Sequence, residues 1–149
     1  MDVATISMIT TTLVSITVSA VVSIAISIFM ERKEKEKLLS NRLDTIIKIW
    51  IEHPYLENTQ FTSKWTRDLC HSDEKLMRYE AYGTLVFNYL HDVACFYKYD
   101  VKKIEEYISI KAWVRIHETY WKNPLEKNGH SDEYGKKFVE FIDSYIKGH

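Results

Sequence analysis

Glycine and proline are scarce in this chain of 149 residues, 4 and 2 respectively, and neither occurs before Pro54. So few of them cannot build phosphate-cradling loops or the many turns of a β-rich fold, and the chain reads as mostly helical. An excess of charge of one sign is missing too. Lys and Arg total 20 against 21 Asp and Glu, and a net charge of -1 gives no global attraction to nucleic acid or to a membrane surface. Any electrostatic function must come from local clusters. With only Cys70 and Cys95, there is no disulfide framework. The length is that of one ordinary domain, which excludes a multidomain enzyme. There is no P-loop, dinucleotide fingerprint, HExxH or G-x-S-x-G, so neither an enzyme nor a bound cofactor is expected.

What is present divides the chain. Between Asp2 and Glu31 lie 28 consecutive uncharged residues rich in Val, Ile and Met. About 20 suffice to cross a bilayer, so residues 3–30 are expected to form a transmembrane helix. At about 1.5 Å per residue the segment is roughly 42 Å long against a hydrocarbon core of about 30 Å, so it must tilt or protrude. A secretory signal peptide would open with a basic region and a shorter apolar run, whereas this chain opens Met1-Asp2-Val3, and cleavage is not expected. Arg32, Lys33, Lys35, Lys37 and Arg42 follow the span closely, and positive flanks stay in the cytoplasm. The expected topology is a single pass, N-terminus outside, with a cytoplasmic C-terminal domain whose thiols are free.

The span carries 10 Ser and Thr residues. On a helical wheel Thr5, Thr12, Ser15, Ser19, Ser23 and Ser27 fall within an arc of about 120°. Ile6, Leu13, Val21, Ile24 and Ile28 occupy much of the opposite side. Small residues at every fourth position let helix backbones approach closely, and their hydroxyls can bond across to a neighbour, so self-association is expected. The plainer outcome is a dimer seam. The sharper one is a ring of three or more helices whose hydroxyl stripe lines a narrow water path, because polar groups at membrane depth face protein or water. Such a pore has no fixed charge and hence weak intrinsic charge selectivity.

Residues 31–52 are expected to continue the helix as a stalk. Glu31 with Lys35 and Arg32 with Glu36 stand at i,i+4 spacing, and Leu39, Leu43, Ile46, Ile47, Trp50 and Ile51 recur at steps of three and four. The first break is His53-Pro54. Residues 53–149 hold most of the aromatics and can bury a core. Residues 54–71 read as a connector with one helical turn around Lys64–Leu69. Ser72 with Asp73 and Glu74 starts a buried helix through Leu76, Tyr79, Gly83, Val86, Phe87, Leu90, Ala94 and Tyr97. Asp100 caps the next helical segment, with a break near Ser109 and a stop at Pro124. Ser131 with Asp132 and Glu133 starts a last helix that runs to Gly148. The expected fold is all-α: an N-terminal transmembrane helix continuing into a cytoplasmic helical bundle.

Two clusters could carry chemistry. His91 and Cys95, with Cys70 and His71, would make four zinc ligands, although an i,i+4 His and Cys pair on an aromatic-rich helix is more often packing, and no metal is expected. The second interleaves cations and rings: Trp65 and Arg67; Tyr97, Lys98, Tyr99, Lys102 and Lys103; then Lys111, Trp113 and Arg115. Cations that track a backbone, with rings on which bases stack, hold single-stranded nucleic acid, and an oligomer would repeat the cluster around its axis. Asp100, Glu105 and Glu106 dilute the field. Lys98, Lys102, Lys103, Lys111 and Arg115 are the candidate ligand-binding residues, against the alternative of ordinary packing and surface.

Trp50-Ile51-Glu52-His53-Pro54-Tyr55-Leu56, Tyr82-Gly83-Thr84-Leu85-Val86-Phe87-Asn88-Tyr89-Leu90, Trp113 and Tyr120-Trp121 carry a resemblance. Over about residues 1–145 the chain resembles small bacterial membrane-anchored helical proteins of antiphage defence loci, and its architecture is similar to the transmembrane effector of the Hailong system. That resemblance implies a homo-oligomeric ion channel, a tetramer, controlled by a single-stranded oligodeoxynucleotide that a nucleotidyltransferase partner makes. The reading is therefore a channel effector in the lipid bilayer. The alternative is a non-conducting anchor whose helical domain recruits a protein partner, and a third and weaker reading is a tethered enzyme.

Overall fold

The computed structural model describes residues 2–65, 73–122 and 134–147, with the backbone alone for residues 3–14. Among the described residues every regular element is helical. Helix α1 spans Val3–Glu52, followed by a 3-10 turn, Pro54–Glu57, and the single turn α2, Thr59–Thr62. Then come α3 (Glu74–Phe96), α4 (Val101–Tyr107), α5 (Ile110–Ile116), α6 (Glu118–Lys122) and α7 (Lys136–Lys147). The chain divides into two compact units, Met1–Leu38 and Leu39–His149.

In the first unit, α1 has no glycine or proline to interrupt it, and exposed ion pairs support the charged stretch after the apolar run. Lys35 reaches Glu31 at 2.6 Å, as expected, and Lys33 reaches Glu36 at 3.0 Å. From Ser15 onward this helix is long and apolar enough to cross a membrane. None of that apolar stretch is buried within the chain.

The second unit begins with the end of α1, where Leu39 and Ile46 are buried. The helix stops where expected. Pro54 lacks an N–H and crowds the residue before it, and His53 leaves helical geometry at φ -133, ψ 69 while its N–H still bonds the Ile49 carbonyl at 2.9 Å. Proline then serves at the first position of the 3-10 turn, where no donor is needed. The connector has helical turns that were not expected. Its helical turns lie at Pro54–Glu57 and Thr59–Thr62, the second capped by Asn58 Oδ1 accepting from Gln60 N at 2.8 Å. Lys64 and Trp65 are non-helical, and the rest of the expected turn lies outside the described residues.

Helix α3 is the centre of this unit. Asp73 Oδ1 accepts from Lys75 N at 2.7 Å and is the cap, one residue after Ser72, which lies outside the described residues. Leu76, Tyr79, Tyr82, Val86, Phe87, Leu90 and Val93 recur at steps of three and four and are all buried. Full burial of one such apolar side chain contributes about 1.5–3 kcal/mol, so this face outweighs the surface ion pairs. Gly83 belongs to it for a steric reason: a Cβ there would stand 3.0 Å from ring carbons of the buried Tyr120. The glycine lets that ring lie against the helix, stacked on Phe87 at 5.9 Å between centroids.

The short helices follow the expected cap and the break at Ser109, while a further break at His117 was not expected and Pro124 lies outside the described residues. Asp100 caps α4 by accepting from Lys103 N at 3.3 Å, and Ser109 stands at the N-cap position of α5. The last helix starts later than expected. Tyr134 and Gly135 are non-helical, and the Gly135 carbonyl accepts from Phe138 N at 2.8 Å, which makes Lys136 the first helical residue. Ser131, Asp132 and Glu133 lie outside the described residues. Phe138, Phe141 and Ile142 bring α7 onto the core, and Trp121 Nε1 donates to Asp143 Oδ1 at 3.1 Å.

Candidate functional site

Two places could serve function: the hydroxyl stripe of α1 and the cationic cluster of the second unit. Ser15, Ser19, Ser23 and Ser27 are all exposed on α1. Thr5 and Thr12 are helical, and their side chains are outside the described residues. The hydroxyl of Ser23 donates to the Ser19 carbonyl at 2.8 Å, a back-bond one turn away that satisfies its proton inside the helix. Its lone pairs remain open to water or to a neighbouring helix. Beside the serines, Ile16, Val21, Ile24 and Ile28 are each 60 % exposed or more, so the outer surface of this stretch is apolar.

The expected cations fall on three consecutive elements. Lys98 sits at the end of α3, where Lys98 and Tyr99 take left-handed backbone angles, φ 54 and 62. Tyr99 N bonds the Ala94 carbonyl at 2.7 Å, six residues closed as in a Schellman turn, which ends the helix without glycine. Lys102 and Lys103 are exposed on α4, and Lys103 Nζ pairs with Asp100 at 3.0 Å. That pairing holds the exposed Asp100 carboxyl below its ordinary range. Lys111 and Arg115 are exposed on α5. Arg115 borders an open pocket of about 400 Å³ with Thr59, Ala112, Ile116 and Glu118.

The rings of that cluster are packed to different degrees, Trp65 buried and Tyr97, Tyr99 and Trp113 partly exposed. Trp65 is fully buried, 5.0 Å from the Tyr120 ring, and has no free face. Tyr97 packs on Phe96 and Tyr107 at 4.9 and 5.6 Å, and Trp113 on Tyr89 at 5.8 Å. Tyr99 packs edge-on to Phe141 and lies under Lys137 Nζ at 4.2 Å. Burial and the Cys95 thiol raise its phenol to about 12. Arg67 lies outside the described residues, as do Cys70 and His71. Of that proposed zinc set, His91 Nε2 and Cys95 Sγ stand 3.6 Å apart. Among the described residues no three His, Cys, Asp or Glu side chains are grouped to hold a metal ion.

Sequence reading missed a buried polar network. His117, between α5 and α6, is fully buried, as is most of the Glu57 side chain. The His117 ring places Nε2 3.2 Å from Glu57 Oε1 and Nδ1 2.9 Å from the Tyr79 hydroxyl. The Tyr82 hydroxyl donates to the same Glu57 oxygen at 2.5 Å. With its proton on Nε2, the imidazole donates to Glu57 and accepts from Tyr79, so both of its nitrogens have partners. Nearby, the Thr62 hydroxyl donates to the Ile116 carbonyl at 2.7 Å. Burial pushes the Tyr79 and Tyr82 phenols well above their usual range, and for Tyr82 the Glu57 carboxylate adds to the effect. The network ties the connector after α1 to α3 and to the α5–α6 junction. Its one local signal is the pair Tyr79 and Tyr82 on the apolar face of α3, since Glu57 and His117 are 60 residues apart.

The fold defines an all-helical protein with one N-terminal helix able to span a membrane. No protein-family model matches the chain, and neither a curated protein nor a solved structure proves similar to it.

Proposed function

We propose that this chain is a single-pass bacterial inner-membrane effector, N-terminus outside, whose copies assemble through residues 3–30 into an ion channel gated from the cytoplasmic helical domain. The observation that carries this reading is α1 itself: one uninterrupted helix whose apolar surface has no partner within the chain and which carries a hydroxyl stripe. A helix exposed on all sides must be covered by lipid or by other helices, and hydroxyls at that depth are best placed facing protein or water. Arg32, Lys33, Lys35 and Lys37 support the topology.

The gating signal is a nucleotide or a single-stranded oligodeoxynucleotide, as the resemblance to antiphage effectors implies, made by a nucleotidyltransferase partner. Lys98, Lys102, Lys103, Lys111 and Arg115 would meet its phosphates. Contacts to backbone charge release counterions, so binding should weaken steeply with salt. The end of α1 belongs to the same unit as those cations, and ligand binding that favours one packing of Leu39 and Ile46 would favour one state of the span.

A second reading has its own support. The Ser23 hydroxyl already bonds the helix backbone, so the stripe could pack dry and the chain serve as a non-conducting anchor that recruits a protein partner. Ion flux from liposomes holding the purified protein, with and without a short single-stranded oligodeoxynucleotide, separates the two. The channel reading expects ligand-dependent flux that is lost when Ser15, Ser19 and Ser23 are replaced by leucine. A stable oligomer that leaks under neither condition sinks it and leaves the anchor.

A further inference from the structure

Near its C-terminus α1 presents apolar side chains that its own unit leaves uncovered. Ile51 is 69 % exposed and Trp50 45 %, with Ile47 and Leu43 half-buried beside them. On a helical wheel the four fall within an arc of about 100°, next to the face that Leu39 and Ile46 bury. Trp50 therefore lies at the edge of the packed face and remains in solvent. An exposed tryptophan continuous with an exposed isoleucine marks a contact surface rather than a core.

We infer that this strip is the cytoplasmic part of a parallel seam between copies of this chain. The inference rests on the reading that the chain assembles through its span, and it names where that assembly continues. A bilayer holds every copy in the same orientation and at the same depth, so residue i of one copy meets residue i of its neighbour. Trp50, Ile47 and Leu43 are separated by steps of three and four. The same alternation carried back along the sequence reaches Phe29, Ile26 and Val22, exposed by 59, 57 and 50 %. Steps alternating between three and four repeat every seven residues, the spacing that winds parallel helices around one another. Between the two apolar stretches the alternation passes through Lys33, Glu36 and Ser40, where Lys33 and Glu36 offset one another's charge 3.0 Å apart within one chain. Confinement to one membrane raises the effective concentration of copies, so a narrow strip suffices.

Site-specific cross-linking in membranes tests this. In full-length protein with Cys70 and Cys95 replaced by serine, single cysteines are placed by Trp50→Cys, Thr45→Cys and Ser19→Cys and oxidised. Trp50 and Thr45 are both exposed, so neither change disturbs the core, and unchanged helical circular dichroism checks this. Thr45 points away from the strip, about 140° round the helix from Trp50. The seam requires disulfide dimers from Trp50→Cys on the order of tenfold above those from Thr45→Cys, as proximity at high effective concentration dictates. Equal yields at these two positions, with strong cross-linking at Ser19→Cys, would overturn the seam and leave assembly through the span intact. A disulfide from Trp50→Cys to a different protein would also overturn it. No dimer at any position, with a monomer by mass in detergent, removes the assembly itself.

Discussion

Replacing Glu57 by leucine tests the buried network most directly. The carboxylate accepts from Tyr82 at 2.5 Å and stands 3.2 Å from His117 Nε2, and the imidazole is fully enclosed. Leucine removes both acceptors and leaves two buried donors without partners. Each such orphan costs about 1–3 kcal/mol, so a loss of about 2–6 kcal/mol is expected for Glu57→Leu. Glu57→Gln keeps an oxygen at the site and should cost only about 1–2 kcal/mol. Combining Glu57→Gln with Tyr82→Phe closes a double-mutant cycle whose coupling should lie at about 1–3 kcal/mol, as for contacting residues. All four tryptophans, Trp50, Trp65, Trp113 and Trp121, belong to the second unit, so their fluorescence during denaturant unfolding in mild detergent reports the affected part. A cost below about 0.5 kcal/mol for Glu57→Leu, the range of ordinary surface substitutions, would refute the network as described.

Gly83→Val should destabilise the second unit by about 1–3 kcal/mol, because even its Cβ would stand 3.0 Å from the enclosed Tyr120 ring; unchanged thermal unfolding would contradict this packing. The pH dependence follows from the phenols of Tyr79 and Tyr82, both raised by burial. A raised phenol favours the neutral folded form, so this contribution is complete below the ordinary tyrosine value near 10 and declines as pH rises beyond it. Absorbance of tyrosinate should then show these two phenols ionising together with unfolding, whereas smooth titration in the folded protein would contradict their burial.

The parts of this protein that were readable in advance depend on near neighbours in the sequence. The span needs only an unbroken run without charge, because transfer into hydrocarbon is close to a sum over residues. The end of α1 at Pro54, the cap at Asp100 and the break at Ser109 are steric and hydrogen-bonding effects within a few residues. Where two local signals competed, local reading failed. Ser131 with its two acids resembles a helix start, yet Gly135 stands between them and α7, and its carbonyl opens the helix at Lys136. The two helical turns before Lys64, the second capped by Asn58, went unread.

Tertiary structure alone decided the rest. That Trp65 is core and Trp50 is surface depends on which helices cover them, and both are tryptophans among polar and apolar neighbours alike. Near the cations Lys102 and Arg115, Trp113 and Trp65 pack on rings distant along the chain, Tyr89 and Tyr120, while Tyr97 packs on its neighbours Phe96 and Tyr107. The need for glycine at position 83 appears only once Tyr120 lies against α3. The pairing of Glu57 with His117 has no local precursor: a buried carboxylate and imidazole are tolerated only where the fold brings donors and acceptors into register. Sequence by itself therefore determined an apolar helix able to lie in a membrane and a helical remainder, because hydrophobicity and backbone preference act locally. Packing decided which polar and aromatic side chains are available to anything outside the molecule.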